Sequence, residues 1–189
     1  MCRMTEVSSL TGRLLVATPA LADPNFDRAV VLLLDHDDEG SLGVVLNRPT
    51  PVTVGDVLAA WAGLAGEPGV VFQGGPVSLD AALGLAVIPG DEGPLGWRRV
   101  FGAIGLVDLE TPPELLGPAL GALRIFAGYA GWGPGQLETE LTEGAWYVVE
   151  SEPGDVSSPT PETLWRQVLR RQRGELAMIA TYPDDPSLN

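Results

Sequence analysis

The sequence predicts an α+β fold with a mixed sheet, and three observations carry that expectation. First, residues 29–46 read as a hairpin. A near-continuous apolar run, Ala29 to Asp35, leads into the polar turn Asp37-Asp38-Glu39-Gly40, and Ser41 to Leu46 returns. A run apolar on both faces is the pattern of a doubly covered strand. Second, strand-like and helix-like segments are interspersed without the strict alternation of a doubly wound fold. Third, the chain has 189 residues, 45% of them hydrophobic. That suffices for one substantial core and is short for two, so one domain over 1–189 is expected.

The elements follow in order. Leu14 to Thr18 reads as a strand ended by Pro19, and Asp23-Pro24-Asn25-Phe26 is turn chemistry. After the hairpin, Asn47-Arg48-Pro49 closes the strand, because Pro49 forces Arg48 out of the helical region. Thr53, with Asp56 three residues on, predicts a capped helix whose apolar face is Leu58, Trp61, Ala62 and Leu64. Pro68-Gly69 breaks it. Val70 to Phe72 and Leu83 to Ile88 read as strands, and Val100 to Val107 as a weaker one weakened by Gly102 and Gly105. Thr111-Pro112-Pro113-Glu114 predicts a helix start running to Leu123. Arg124 to Ala130 reads as a strand and Gly131 to Gly135 as irregular. A short helix over 136–143 and a strand over 145–149 follow. Ser151 to Pro159 reads as a flexible connector, and Thr160-Pro161-Glu162 opens a last helix over about 161–173.

Composition excludes several chemistries. Twenty-five acidic residues face eleven basic ones, for a net charge of −14, and every basic residue is arginine. Without lysine there is no Walker lysine, no Schiff base and no lysine general base. One cysteine and one histidine exclude an intrachain disulfide and a cysteine- or histidine-rich metal site. The acidic surface opposes direct nucleic-acid binding, which rests on phosphate neutralisation. No signal-peptide pattern and no 18-residue apolar run is visible, so a cytoplasmic protein with no membrane span is expected. Cys2 reads as incidental.

The candidate residues each have a plain alternative. His36 sits beside Asp35, Asp37 and Asp38, where it could act as a general base, the cluster could hold a hard cation through oxygens, or it could simply be a solvated polar turn. Gln73-Gly74-Gly75-Pro76 follows a strand and could present backbone N–H groups to an anion, or form a tight turn. Tyr129, Trp132, Gln136 and Glu138 lie within ten residues of one another. They could line a pocket, or lock a loop onto the sheet. Arg166, Arg170 and Arg173 share a helix face that could dock an acidic partner or RNA, or offset the acidic surface.

Four motifs occur together and in order: Gly12-Arg13-Leu14-Leu15-Val16-Ala17-Thr18-Pro19 with Asp23-Pro24-Asn25-Phe26; Gly43-Val44-Val45-Leu46-Asn47-Arg48-Pro49; Gly74-Gly75-Pro76-Val77; and Gly128-Tyr129-Ala130-Gly131-Trp132-Gly133-Pro134-Gly135-Gln136-Leu137-Glu138 with Gly144-Ala145-Trp146. In these the chain, over about residues 12–149, resembles the bacterial AlgH/YqgE family. The resemblance implies an α+β fold whose mixed, largely antiparallel, bifurcated sheet curls into a pseudo-barrel flanked by helices. The family has no established biochemical activity, so the resemblance points to none; no cofactor and no metal are expected. Some members carry a transcriptional-regulator label.

The expectation is a binding or regulatory protein for a small molecule or a protein partner, without catalysis. Its candidate site is Arg28, Asn47, Arg48, Gly74, Gly75, Tyr129, Trp132, Gln136 and Glu138, on the premise that the motif loops converge. The alternatives are a hydrolase using His36 with its carboxylates, and a regulator acting through nucleic acid or a protein partner.

Overall fold

The structure, a computed structural model, describes residues 9–21, 23–90 and 93–182. Cys2 and the tail from 183 lie outside the described residues. The strands are β1 (Arg13–Ala17), β2 (Val30–Asp37), β3 (Gly40–Val45), β4 (Pro49–Thr53), β5 (Val70–Gln73), β6 (Val77–Val87), β7 (Trp97–Phe101), β8 (Ile104–Val107), β9 (Ala122–Trp132) and β10 (Trp146–Glu150). Six short helices accompany them among the described residues: α1 (Val54–Val57), α2 (Pro113–Leu116), α3 (Gln136–Thr142), α4 (Pro153–Val156), α5 (Leu164–Arg170) and α6 (Glu175–Ile179).

The sheet is antiparallel but for one parallel pair and curls into a half-barrel, ordered β10-β1-β2-β3-β9-β6-β8-β7. It branches at β9. The C-terminal half of β9 pairs with β3, Gly43 against Ala130 and Ser41 against Trp132. Its N-terminal half pairs with β6 antiparallel and with β5 parallel, Phe72 against Phe126, and β4 adds to β5. Strand alternation sorts the side chains into three cores. Leu14, Val30, Leu32, Val44, Phe72 and Phe126 fill the inside of the curl, closed by Leu164, Trp165 and Val168 of α5. Leu15, Val31, Val45, Trp132 and Trp146 lie on the outer face beneath Leu137 of α3. Val71, Leu123 and Ile125 lie on the outer face of the other branch with Trp61, Leu116 and Val54.

Several elements depart from the sequence expectation. The helix after Thr53 is one turn, α1, and a 3-10 turn over Ala59–Trp61 follows it. Thr53 makes no side-chain cap bond, and Gly55 and Gly63 dilute helix propensity. The helix expected to reach Leu123 stops at Leu116, with Pro112 at the cap position, because Gly117, Pro118 and Gly121 follow. Pro49–Thr53 is a strand. Residues 97–107 are two strands joined at Gly102, whose φ is +56°. Gly131 and Trp132 are regular, because β3 supplies their ladder partners.

The expected connector at 151–159 is ordered. Asp155 is buried and accepts two 2.6 Å bonds from the Arg171 guanidinium, which also donates to the Glu150 carbonyl. The Asp155 hydrogen bond raises the Arg171 pKa further above its ordinary value, more than burial lowers it. Two separated charges thus lock α4 to α5, a tertiary link with no local sequence period.

Arg124 is the exceptional core residue. It projects from β9, is 2% exposed, and its guanidinium lies 4.2 Å from the Phe72 ring centre. Nη2 donates to the carbonyls of Glu67 and Ser158, whereas Nε and Nη1 are buried and meet no protein acceptor. Burial pushes its pKa down to about 10. The side chain ties the loop before Pro68 and the segment after α4 to the mouth of the curl. Arg124→Ala is expected to lower stability by about 3 kcal/mol, through a lost aliphatic stem and two orphaned carbonyls. Arg124→Met keeps the stem and removes the buried charge, so its loss is expected to be about half as large. Urea unfolding of the two variants checks the order.

Candidate functional site

The segment after β3, the start of β5's exit turn and the 23–28 turn meet on the outer face of the sheet. Three hydrogen bonds fix them. The Val45 N–H donates to the Gly74 carbonyl, the Gln73 N–H to the Arg48 carbonyl, and the Gly74 N–H to the Ala127 carbonyl. Asn47 holds the 23–28 turn from the other side. Its Nδ2 donates to the Arg28 carbonyl and its Oδ1 accepts the Val30 N–H. Arg28 itself is held at φ +56°, a conformation that a non-glycine residue adopts only when its surroundings fix it.

Between these segments lies a polar cleft of about 90 Å³, lined by Pro24, Asn25, Val45, Arg48, Gln73, Gly75 and Pro76. That is about three times the ~30 Å³ share of one water in the liquid, the scale of a single carboxylate or phosphate group. Arg48 donates from Nη2 to the Asp27 carbonyl at 2.5 Å and makes no ion pair among the described residues. The Asp23 carboxylate accepts the Asn25 N–H of the same turn. A half-exposed guanidinium with donors to spare, on a chain of charge −14, is a place where an anion gains Coulomb energy and directed hydrogen bonds.

A larger groove runs beside the cleft. It encloses about 510 Å³ between β4, α1, β5, β9 and the N-terminal arm of β6. Its walls are Val52, Val57, Leu58, Val71, Leu79, Ala82, Ile125 and Ala127, with Thr50 and Asp80 as the polar members. Thr50 Oγ1 is committed to the Val71 carbonyl. Val52, Val57 and Leu79 are 42%, 56% and 54% exposed. An apolar hollow of this size, with its aliphatic walls open to water, is the usual form of a small-molecule site.

At the far end of the β2–β3 hairpin, His36 is buried, not solvated, on strand β2. Its ring is held on both sides. Nδ1 lies 2.6 Å from Ser41 Oγ, its partner across the hairpin, and Nε2 lies 3.3 Å from Oε1 of Glu138 on α3. Asp35, Asp37 and Glu39 border an open cleft of about 260 Å³ against Ser41. No group of three or more metal-ligating side chains occurs among the described residues.

The expected site residues therefore fall into two neighbourhoods. Asn47, Arg48, Gly74 and Gly75 gather at the polar cleft, with the Arg28 backbone beside them and the Arg28 guanidinium turned over Trp165 at 4.3 Å. Trp132, Gln136 and Glu138 gather around α3. Trp132 packs with Phe26 and Trp146, and its Nε1 donates to Glu140, which also accepts from Trp146. Gln136 Oε1 accepts the Gly133 N–H, closing the turn into the helix. The Tyr129 side chain packs toward the inner core. Two cleft residues, Asn25 and Gln73, are missing from the expected site: Asn25 stands in the Asp23-Pro24-Asn25-Phe26 turn and Gln73 heads the Gln73-Gly74-Gly75-Pro76 turn, and polarity next to a proline or glycine turn is their only side-chain signal. The groove had none, because its walls come from five elements. The arginine face of α5 is partly spent: Arg166 donates to the Ala180 carbonyl, and the neighbouring Arg171 is bound to Asp155.

Fold and site together define an α+β protein built on a curled, branched sheet with clefts on its outer face. The family model described as AlgH-like matches residues 14–177, and the chain belongs to that family. The match reaches past residue 149 into the C-terminal helices. The chain is 85% identical to a UPF0301 protein of Streptomyces coelicolor over the whole of both chains, and 53% identical to one of Thermobifida fusca over 96% of each. A crystal structure of a Corynebacterium diphtheriae protein aligns with TM-score 0.87 at 31% identity, covering 91% of this chain and 92% of the other. The solution structure of the AlgH protein from Pseudomonas aeruginosa aligns with TM-score 0.69 at 27% identity, covering 96% and 98%. No described helix is long and apolar enough to cross a membrane.

The cleft floor depends on glycine. A Cβ on Gly75 would lie 2.2 Å from the Tyr129 carbonyl, backbone that cannot step aside. Gly75→Ala is expected to cost about 2 kcal/mol or more and to shift the 73–76 turn. Thermal unfolding measures the cost, and amide chemical shifts of Gln73 and Ala130 report the displacement.

Proposed function

We propose that this is a cytoplasmic ligand-binding protein without catalysis of its own at the cleft, and that the cleft around Arg48 takes a small oxyanion, a carboxylate or a phosphate. The observation that carries the reading is the convergence of three motif segments on one arginine that no carboxylate neutralises. Asn25 and Gln73 add side-chain amides, which can donate to the oxygens that the guanidinium leaves unmet. The polar side chains that line the cleft, Asn25, Arg48 and Gln73, are groups that hold an anion. A regulatory role follows if the occupant alters the 23–28 turn, which the same bonds hold in place.

The test is thermal unfolding in the presence of small carboxylates and phosphates. Ligand at 100 times its Kd adds about 2.7 kcal/mol. For a chain of this size that is roughly 5–10 °C. Arg48→Ala is expected to abolish the shift, and Arg48→Lys to weaken it by removing bidentate geometry. A shift that survives Arg48→Ala, or no shift with any oxyanion, sinks the reading.

A second reading is supported by the hydrogen-bonded series Ser41–His36–Glu138. With Nε2–H toward Glu138, Nδ1 is free to accept the Ser41 hydroxyl proton, the arrangement of an activated serine. The bland account is a cross-strand pair that satisfies a buried imidazole. The hydrolase reading expects a fluorophosphonate probe to label Ser41, with labelling lost in His36→Gln and in Ser41→Ala. An unlabelled wild-type protein, read by mass spectrometry, leaves the cross-strand pair as the whole explanation.

A further inference from the structure

The polar cleft and the apolar groove open on the same face of the sheet and follow one another along β5. Val71 lines the groove and Gln73 lines the cleft. Residues two apart on a strand point to one face and stand about 6.6 Å apart. The flanking chain repeats the relation, with Arg48 in the cleft and Thr50 in the groove. Polar and apolar walls are therefore end to end.

We propose that the two form one site for an amphipathic acid, an oxyanionic head with a single flexible alkyl chain. This deepens, and rests on, the reading of Arg48 as an oxyanion receptor. Charge selects the orientation. Among the described residues, the only cation bordering either cavity wall is Arg48, and Asp80 is the one ionisable group on the groove wall, so an anionic head is drawn to the Arg48 end and repelled from the other. Shape selects the chain. The head cleft of about 90 Å³ admits one carboxylate or phosphate, and the groove of about 510 Å³ falls within the ~300–1,000 Å³ range of small-molecule sites. Chemistry selects against a polar tail. Thr50, the groove's hydroxyl, already donates to the Val71 carbonyl, and Asp80 is the one other polar side chain on the wall, so a sugar or nucleoside would leave most of its hydroxyls without side-chain partners. An alkyl chain leaves no hydrogen bond unmet on entering, and it covers the exposed Val52 and Leu79.

The test compares four probes by calorimetry below their micellar range: acetate, decanoate, decyl phosphate and decanol. Each buried methylene is worth about fourfold in affinity, the equivalent of ~0.8 kcal/mol. With half of the added chain buried, decanoate is expected to bind roughly 100-fold or more tighter than acetate. Arg48→Ala is expected to reduce decanoate to the affinity of decanol. Ala82→Trp, at an exposed wall position, is expected to weaken decanoate and leave acetate unchanged. Decanoate stronger than decyl phosphate identifies a carboxylic acid head, and the reverse order a phosphate head; both support the site. Acetate and decanoate binding equally, each lost in Arg48→Ala, overturns the shared site and leaves the oxyanion reading intact. Decanoate and decanol binding equally to the wild-type protein overturns both.

Discussion

Where β9 crosses from one branch of the sheet to the other, two backbones lie against each other with no room for a side chain. A Cβ on Gly74 would fall 2.4 Å from the Gly128 carbonyl, and one on Gly128 would fall 2.6 Å from the Gly75 carbonyl. Gly128 also takes φ +73°, which only glycine holds without strain. This contact lets β9 serve β3, β5 and β6 in turn. It sets the curl of the sheet and aligns the inner Phe72 and Phe126 rings. It also leaves the outer surface stepped, with a polar notch at the crossing and an apolar trough beyond it. The functional face is in this sense a by-product of how the sheet divides.

Arginine fills a structural niche throughout the molecule. Arg48, Arg99, Arg124, Arg166 and Arg171 each donate to at least one backbone carbonyl. Arg28, Arg99 and Arg166 lie over tryptophan rings. A planar fork that donates in several directions suits loops that lack ladder partners, a task a lysine ammonium performs less well. Against this background Arg48 differs in its surroundings: it holds one carbonyl and faces a cleft.

How much of this was legible in the sequence depended on how local each signal was. The β2–β3 hairpin is visible because its apolar runs and its turn are contiguous. β4 is not, because Pro49 and Pro51 disguise an edge strand that needs β5 to exist. The helices from 53 and 111 were overestimated for the opposite reason: good starting residues say nothing of the glycines that end a helix early. Asp155 with Arg171, sixteen residues apart, looked like a flexible connector plus a solvated charge. At the candidate site the turn residues Arg48, Gly74 and Gly75 stood out, since special backbone geometry leaves a mark in sequence. The trough did not, since ordinary valines and alanines from five elements compose it.

The order in which the sheet closes has a consequence during synthesis. β1 receives one neighbour, β2, soon after it emerges, but its other edge waits for β10, with Arg13 finally meeting Glu150. The central β9 likewise arrives long after β3 and β5. Until then the nascent chain presents the open edges of Val- and Leu-rich strands, the state most prone to pair with a second molecule. A chain with so many distant pairings folds slowly. The last helices then cover the mouth of the curl, where the Trp165 indole donates to the Ala17 carbonyl. Completion of the C-terminal third is therefore what gives β1, β3 and β5 their remaining partners.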